Sequence, residues 1–352
     1  MGIFHLLIRR DLIIRQINNQ RLLLNNIEST FLLYCKDSTF ISKLGQDATF
    51  VLYDSIPESR IAFNKEQWGL YEKVTVSCID GHPVSSRLIG NSAPFKGDGT
   101  LYYACKNNTL SITGKCTLEG KLFIPPQGLT PKQIKWEFFS GKVPDETMME
   151  IITTNSIPEP ISKMRDYTDE LLNTALCDSL IIFGDRMVID SNTQIQNNSI
   201  VSARSIIVKS GVHISAQLFA SDSIILEERV VMEYPSGIFL SRANENRYME
   251  IGSKSIINGY SIVDGTENTA IRKVNYKLNK DAIVRGLVYV NGIAQMFGVV
   301  SGAVVLNNSS LYINNEFYNH IFYDFTLLEN KEMAYPVWLD SEYNKKEVVW
   351  LN

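Results

Sequence analysis

Residues 206–232 read IIVKSGVHISAQLFASDSIILEERVVM. Counted in sixes from Ile206, the positions are Ile206, Val212, Leu218, Ile224 and Val230. Two residues further on in each case come Val208, Ile214, Ala220, Leu226 and Met232. All ten are apolar. In a strand, residues i and i+2 face the same way. A pair of inward residues followed by a bend, repeated every six residues, describes short strands joined by corners. Three such strands make a triangular coil of about 18 residues, and stacked coils bury a continuous apolar column.

The pattern occurs twice more. In TLSITGKCTLEGKLFIPPQG the inward pairs are Leu110/Ile112, Cys116/Leu118 and Leu122/Ile124. In DAIVRGLVYVNGIAQMFGVVSG they are Ala282/Val284, Val288/Val290 and Ala294/Met296. In both, a glycine follows two positions after the second apolar residue: Gly114 and Gly120, then Gly286, Gly292 and Gly298. Glycine accepts positive φ at little cost. The segment VIDSNTQIQ at 188–196 aligns with IVKSGVHIS at 207–215, with Ile189 over Val208. SRANENRY at 241–248 and NTAIRKVNYKLNK at 268–280 read as excursions.

These blocks predict a mainly β chain containing a parallel β-solenoid of about 18 residues per coil. Around it, the sequence divides into an N-terminal helix (1–36), a β-rich region (37–108), one coil (109–128), a partly helical insertion (129–177), the main solenoid (178–315) and an aromatic-rich cap (316–352). Helix-like spacing of Leu6, Leu12, Ile13, Ile17, Leu24, Ile27 and Phe31 sets the first of these. The run MGIFHLLIRR is either the end of a membrane helix, with Arg9 and Arg10 at the boundary, or the first turn of a soluble one. SKMRDYTDELLNTAL at 162–176 is the helix within the insertion. Open solenoid ends need covering, and FYNHIFYDF, YPVW and VVW supply apolar bulk for that.

The spaced glycines of VRGLVYVNGIAQMFGVVSGAVV at 284–305 resemble bactofilins, a bacterial family of polymer-forming parallel β-helices. The central block is also similar to hexapeptide-repeat proteins. The first resemblance implies self-assembly near the envelope or a membrane-associated skeleton. The second implies an acyltransferase with a histidine base, for which His213, between inward Val212 and Ile214, is the candidate. A long helix followed by strands is similar in outline to pilin-like subunits.

Composition narrows the classes further. The chain has 352 residues, 45% hydrophobic and 20% charged, with a net charge of −4. No long basic run is present, so nucleic acid is a poor partner. Five cysteines (Cys35, Cys78, Cys105, Cys116, Cys177) form no zinc-type spacing, and buried thiols are expected over a Cys105–Cys116 disulfide. His5, His82, His213 and His320 share no metal-type spacing, and no P-loop, GxSxG or HExxH motif occurs. GDGT at 97–100 reads as a tight turn, and Asp222 and Glu228 as solvated corner residues. No catalytic, cofactor-binding or metal residue is assigned. The outward positions Ile207, Phe219, Ile225 and Val231 form a candidate contact strip, covered either by the helix or insertion or by another molecule. The reading is a non-enzymatic structural or scaffold protein of the bacterial envelope, acting by self-assembly or through protein partners, with membrane association through the helix. An envelope module binding glycan or protein, a pilus or secretion-type assembly subunit, and a hexapeptide acyltransferase are the alternatives.

Overall fold

A computed structural model describes residues 2–37, 45–53, 60–78, 83–105, 108–154, 156–173, 181–243, 246–265, 273–313, 315–341 and 345–351. The chain is mainly β and divides into two compact units, 1–92 with 343–352, and 93–342. His82, Cys177, residues 244–245 of the first expected excursion and residues 268–272 of the second lie outside the described residues.

The first unit holds helix α1 (Gly2–Lys36) and strands β1 (Asp47–Val51), β2 (Arg60–Trp68), β3 (Tyr71–Cys78) and β4 (Val84–Asn91). These strands form an antiparallel sheet that is completed by the last strand of the chain, Lys345–Leu351, beside β4. Period-two alternation makes this sheet two-sided: Ile61, Phe63, Val74 and Val76 are buried, and so is Ile89 of β4. They pack with Ile27, Phe31 and Tyr34 of α1. The expected aromatic cap 316–352 is therefore divided, because its last strand pairs with β4 of the first unit.

The second unit begins with β5 (Leu101–Tyr103), β6 (Leu110–Thr113), β7 (Thr117–Leu118), β8 (Leu122–Ile124), β9 (Leu129–Pro131) and β10 (Met149–Ile151). Helix α2 (Ser162–Asn173) follows. Then come β11 (Ile181–Ile189), β12 (Ser199–Val208), β13 (His213–Ile214), β14 (Ala216–Leu226), β15 (Val231–Leu240), β16 (Tyr248–Ile251) and β17 (Ile256–Val263). The unit ends with β18 (Tyr276–Leu278), β19 (Ile283–Met296), β20 (Val299–Ile313), β21 (Glu316–Asn319), β22 (Ile321–Tyr323) and β23 (Thr326–Leu328). Most of these strands form one 16-stranded sheet, whose main path runs β11, β12, β14, β15, β17, β19, β20, β5, β8, β10 in reverse or forward order. All its pairs along this path are parallel.

The register follows the six-residue phase. Val201 lies beside Leu218, Ile206 beside Ile224, Val208 beside Leu226, and Ile189 beside Val208. Of the ten apolar positions in 206–232, all but Ile214 are buried, and Ile214 packs against the same core. The inward pairs of the two other blocks belong to that core as well. The step between rungs is not constant. Ile224 pairs on to Met249, Ile257 to Val284, and Val284 to Val300. Added residues are taken up where the register shifts, as between Met232 and Ser236 within β15. Tyr276–Leu278, expected within an excursion, is instead a strand of the sheet.

Two boundaries also change. Leu101–Tyr103 pairs with β20, and Met149–Ile151 with β8. The segment 101–151 thus extends the ladder beyond β20, and only the part containing α2 lies outside it. Positive φ accounts for part of the glycine spacing: Gly114, Gly120 and Gly286 have positive φ, whereas Gly292 and Gly298 do not. Gly286 has a further reason. It stands in register between Gly259 and Gly302, and a Cβ there would lie 1.7 Å from the Gly259 carbonyl oxygen. Only hydrogen fits between those rungs.

Candidate interaction surfaces

The outward rows of the second unit decide what is available for contact. One row runs Ser202, Phe219, Phe239, Ile262, Tyr289, Val305, Tyr102. It is covered from within the unit. In α2, Met164, Thr168 and Leu171 are buried, at the spacing that puts them on one helix face. The Ser202 hydroxyl donates to the Leu171 carbonyl at 3.1 Å. Trp338 stands edge-on to Phe239 and Tyr289, at 5.1 and 6.0 Å between ring centroids. Tyr289 donates to the Pro158 carbonyl at 3.4 Å.

One buried ion pair fixes this cover. Arg165 of α2 donates through Nε and Nη2 to the two carboxylate oxygens of Asp264, each at 3.0 Å. The Asp264 side chain is 2% exposed. Burial pushes its carboxyl above the ordinary carboxylate range, and the guanidinium pulls it back.

The expected strip therefore does not exist as one surface. Phe219 is fully buried beneath the cover. Val231 lies in a different row, between His213 and Ile256. Ile207 and Ile225 do stack, next to Val188, but the row turns polar at once with Glu250 and Lys277. Strand phase places these residues outward; it carries no information on which outward row another segment of the chain covers.

Chemistry on these surfaces is sparse. His213 points outward and is exposed, with Val231 as its neighbour in the ladder. Asp222 pairs with Arg204 at 2.7 Å. His320 lies 3.5 Å from the Tyr103 hydroxyl, which bonds Ser309 at 2.9 Å inside the core. Among the described residues, no three His, Cys, Asp or Glu side chains converge as a metal-type group. Cys105 and Cys116 are free and buried, and burial pushes their thiols up to about 11 and about 12, away from thiolate reactivity.

In the first unit the last turns of α1 are anchored strongly. Arg87 of β4 lies under the Phe31 ring, 4.1 Å from its centroid. It donates to Glu347 at 2.9 Å and pairs with Glu28 of α1. The Tyr34 hydroxyl donates to Glu72 at 2.8 Å, and Lys345 pairs with the same carboxylate at 3.2 Å. Burial and the Glu72 charge drive the Tyr34 hydroxyl well above its usual range. Nothing in the sequence pattern singles out Arg87, because its partners are brought together only by the fold.

The earlier turns of α1 are different. Leu12, Ile13, Ile14, Ile17, Leu22 and Leu24 are each 40–60% exposed. At 100° per residue these six spread around most of the helix rather than along one face. Arg9, Arg10, Asp11, Arg15 and Arg21 lie among them. No described helix is long and apolar enough to cross a membrane. Comparison of the chain with protein-family models, with curated proteins and with solved structures finds no match.

Proposed function

We propose that this protein is a non-enzymatic structural subunit of a bacterial envelope assembly, of the pilus or secretion type. In this reading α1 makes the contacts between copies, and the second unit is the rigid body carried by them. The second unit is a β-solenoid, its parallel ladders forming successive sides around one apolar column. Parallel pairing throughout the ladder, the inward columns and the glycine stack at Gly259, Gly286 and Gly302 support that architecture.

The observation that carries the functional reading is the exposed aliphatic set from Leu12 to Leu24. Complete burial of one Leu or Ile is worth about 1.5–3 kcal/mol, so six half-exposed residues offer several kcal/mol to an association. A helix apolar on several sides is suited to a bundle in which more than one neighbour packs against it. The Arg87 cluster holds the C-terminal turns on the sheet and so gives the exposed turns a fixed base.

Light scattering over a range of concentrations tests this. The full chain is expected to show mass rising with concentration, and the Leu12→Glu/Ile13→Glu/Ile17→Glu variant to remain monomeric with its folding transition intact. A wild-type monomer at every concentration would refute assembly. A variant that assembles like wild type would favour a second reading, a bactofilin-like filament joined end to end. The observation behind that alternative is β11, a nine-residue strand at the end of the ladder with a neighbour on one side only among the described residues.

A further inference from the structure

Three side chains of the first unit meet on neighbouring strands: a lysine, an asparagine and a glutamate. Lys345, the first residue of the last strand, stands directly opposite Asn91, the last residue of β4. Its ammonium donates to the Asn91 side-chain oxygen at 3.1 Å and lies 3.2 Å from a Glu72 carboxylate oxygen. Glu72, on β3, stands opposite Ile89 of β4, which packs with α1. Alternation therefore puts Glu72, Asn91 and Lys345 on the sheet face that α1 covers. Tyr34 of α1 donates to the same Glu72 oxygen at 2.8 Å.

Water has little access here. Asn91 is 4% exposed, and the side chains of Lys345 and Glu72 are 14% and 12% exposed. The pairs Lys73–Glu66, Lys209–Glu227 and Lys277–Glu250 are all more open. Glu28 and Glu347 are engaged by Arg87, so Glu72 is the carboxylate that serves Lys345. A lysine shifts readily towards the neutral amine when it is buried, and that amine is a nucleophile. Its target is already in place: Asn91 Cγ is one bond beyond the oxygen that Nζ touches. Holding two reacting groups at such a distance converts an improbable encounter into a local step.

We infer that Lys345 and Asn91 condense into an intramolecular isopeptide bond, with Glu72 as the proton carrier and Tyr34 as the residue that positions it. Glu72, within hydrogen-bond reach, takes a proton from the Lys345 ammonium and frees the nitrogen lone pair. Nζ bonds to Asn91 Cγ and the Cγ–Nδ2 bond breaks. The protons passed on by Glu72 and Nζ leave on Nδ2 as ammonium. Glu72 ends as the carboxylate it began as, and the step needs no oxidant or co-reactant. The new bond ties β4 to a strand that begins 254 residues later, so the last strand can no longer leave the sheet. The exposed turns of α1 take no part, and the inference is independent of assembly through them.

Mass spectrometry of the intact, denatured full chain tests this. The mass is expected about 17 Da below that of the sequence, the loss of one ammonia. A protease digest of the wild type should contain a branched peptide joining the Asn91 and Lys345 segments. Lys345→Arg keeps the charge beside Glu72 but removes the nucleophile, and Glu72→Gln keeps a partner for Tyr34 but removes the proton carrier. Both should show the full sequence mass, with the wild-type circular dichroism spectrum. The inference is overturned by a folded wild type that keeps the full mass after days of incubation. It is equally overturned by a mass loss that persists in Lys345→Arg, which would place the loss at an asparagine succinimide. The digest decides the matter even where a variant does not fold: a wild type without the branched peptide has no such bond.

Discussion

Replacing Gly286 with alanine probes the closest backbone approach in the second unit. Gly286 has φ +134°, in the region that only glycine adopts freely, and a strained residue there costs about 1–3 kcal/mol. Its new methyl would lie 1.7 Å from the Gly259 carbonyl oxygen. Neither rung yields by a rotamer change, because the obstacle is backbone. Forcing a methyl into a packed site costs about 1–3 kcal/mol more. The sum, about 4 kcal/mol at its centre, corresponds to a fall of roughly 8–16 °C in the thermal transition of a domain of this size. Gly211→Ala is the control. Gly211 has φ +75° with nothing within 4 Å of its missing Cβ, so only the conformational cost of about 1–2 kcal/mol applies. Calorimetry or circular dichroism of the two variants separates the effects. Equal losses of stability in the two would refute the claim that rung spacing excludes a side chain at Gly286.

Arg165→Ala should destabilise the second unit by about 3–5 kcal/mol in urea unfolding, because it strands the buried Asp264 carboxylate; adding Asp264→Asn should recover part of that loss, and a loss under 1 kcal/mol for the single variant would show that the pair does not fix α2. Glu250 gives a pH dependence. Burial raises its carboxyl, but hydrogen bonds from Asn279, Lys277 and Tyr248 outweigh this and hold it below the usual range. A depressed carboxyl contributes stability that is complete above the unfolded-state pKa and is lost as pH falls through the lower folded value. Glu250→Gln should therefore flatten the acid limb of the stability profile, and an acid limb identical to wild type would remove Glu250 from its origin.

The part of the fold legible in the sequence is the part set by local periodicity. Ile206, Leu218 and Ile224 announce their phase because burial on one side of a strand imposes alternation. In the helix over Gly2–Lys36, Ile27 and Phe31 announce the face that packs on the sheet, whereas Leu12, Ile17 and Leu24 stay exposed. Contacts between distant segments leave no such mark. Phe219 and Ile225 are equivalent by phase, yet Trp338 and α2 arrive from far along the chain and bury only Phe219. The placement of Leu101 beside Val304 is of the same kind. For the candidate surfaces, apolar residues on α1 are visible in the sequence, but which of them stay exposed depends on Arg87 and the sheet.

The order of strands in the second unit sets a timetable for synthesis. Segment 101–151 leaves the ribosome before any of β11 to β20, yet it rests on β20. Until residue 306 has been made, its parallel edge has no rung to join. The ladder meanwhile grows from β11 towards β20, each strand laid on one already present. The first-made piece of this unit thus waits for β20, and for β22 and β23 that pair with β6 and β7, and the step that seats it spans about two hundred residues of chain, a closure that topology makes slow. A chain halted near residue 300 would carry two ladder fragments and no junction between them, each with an exposed edge open to pairing with other chains.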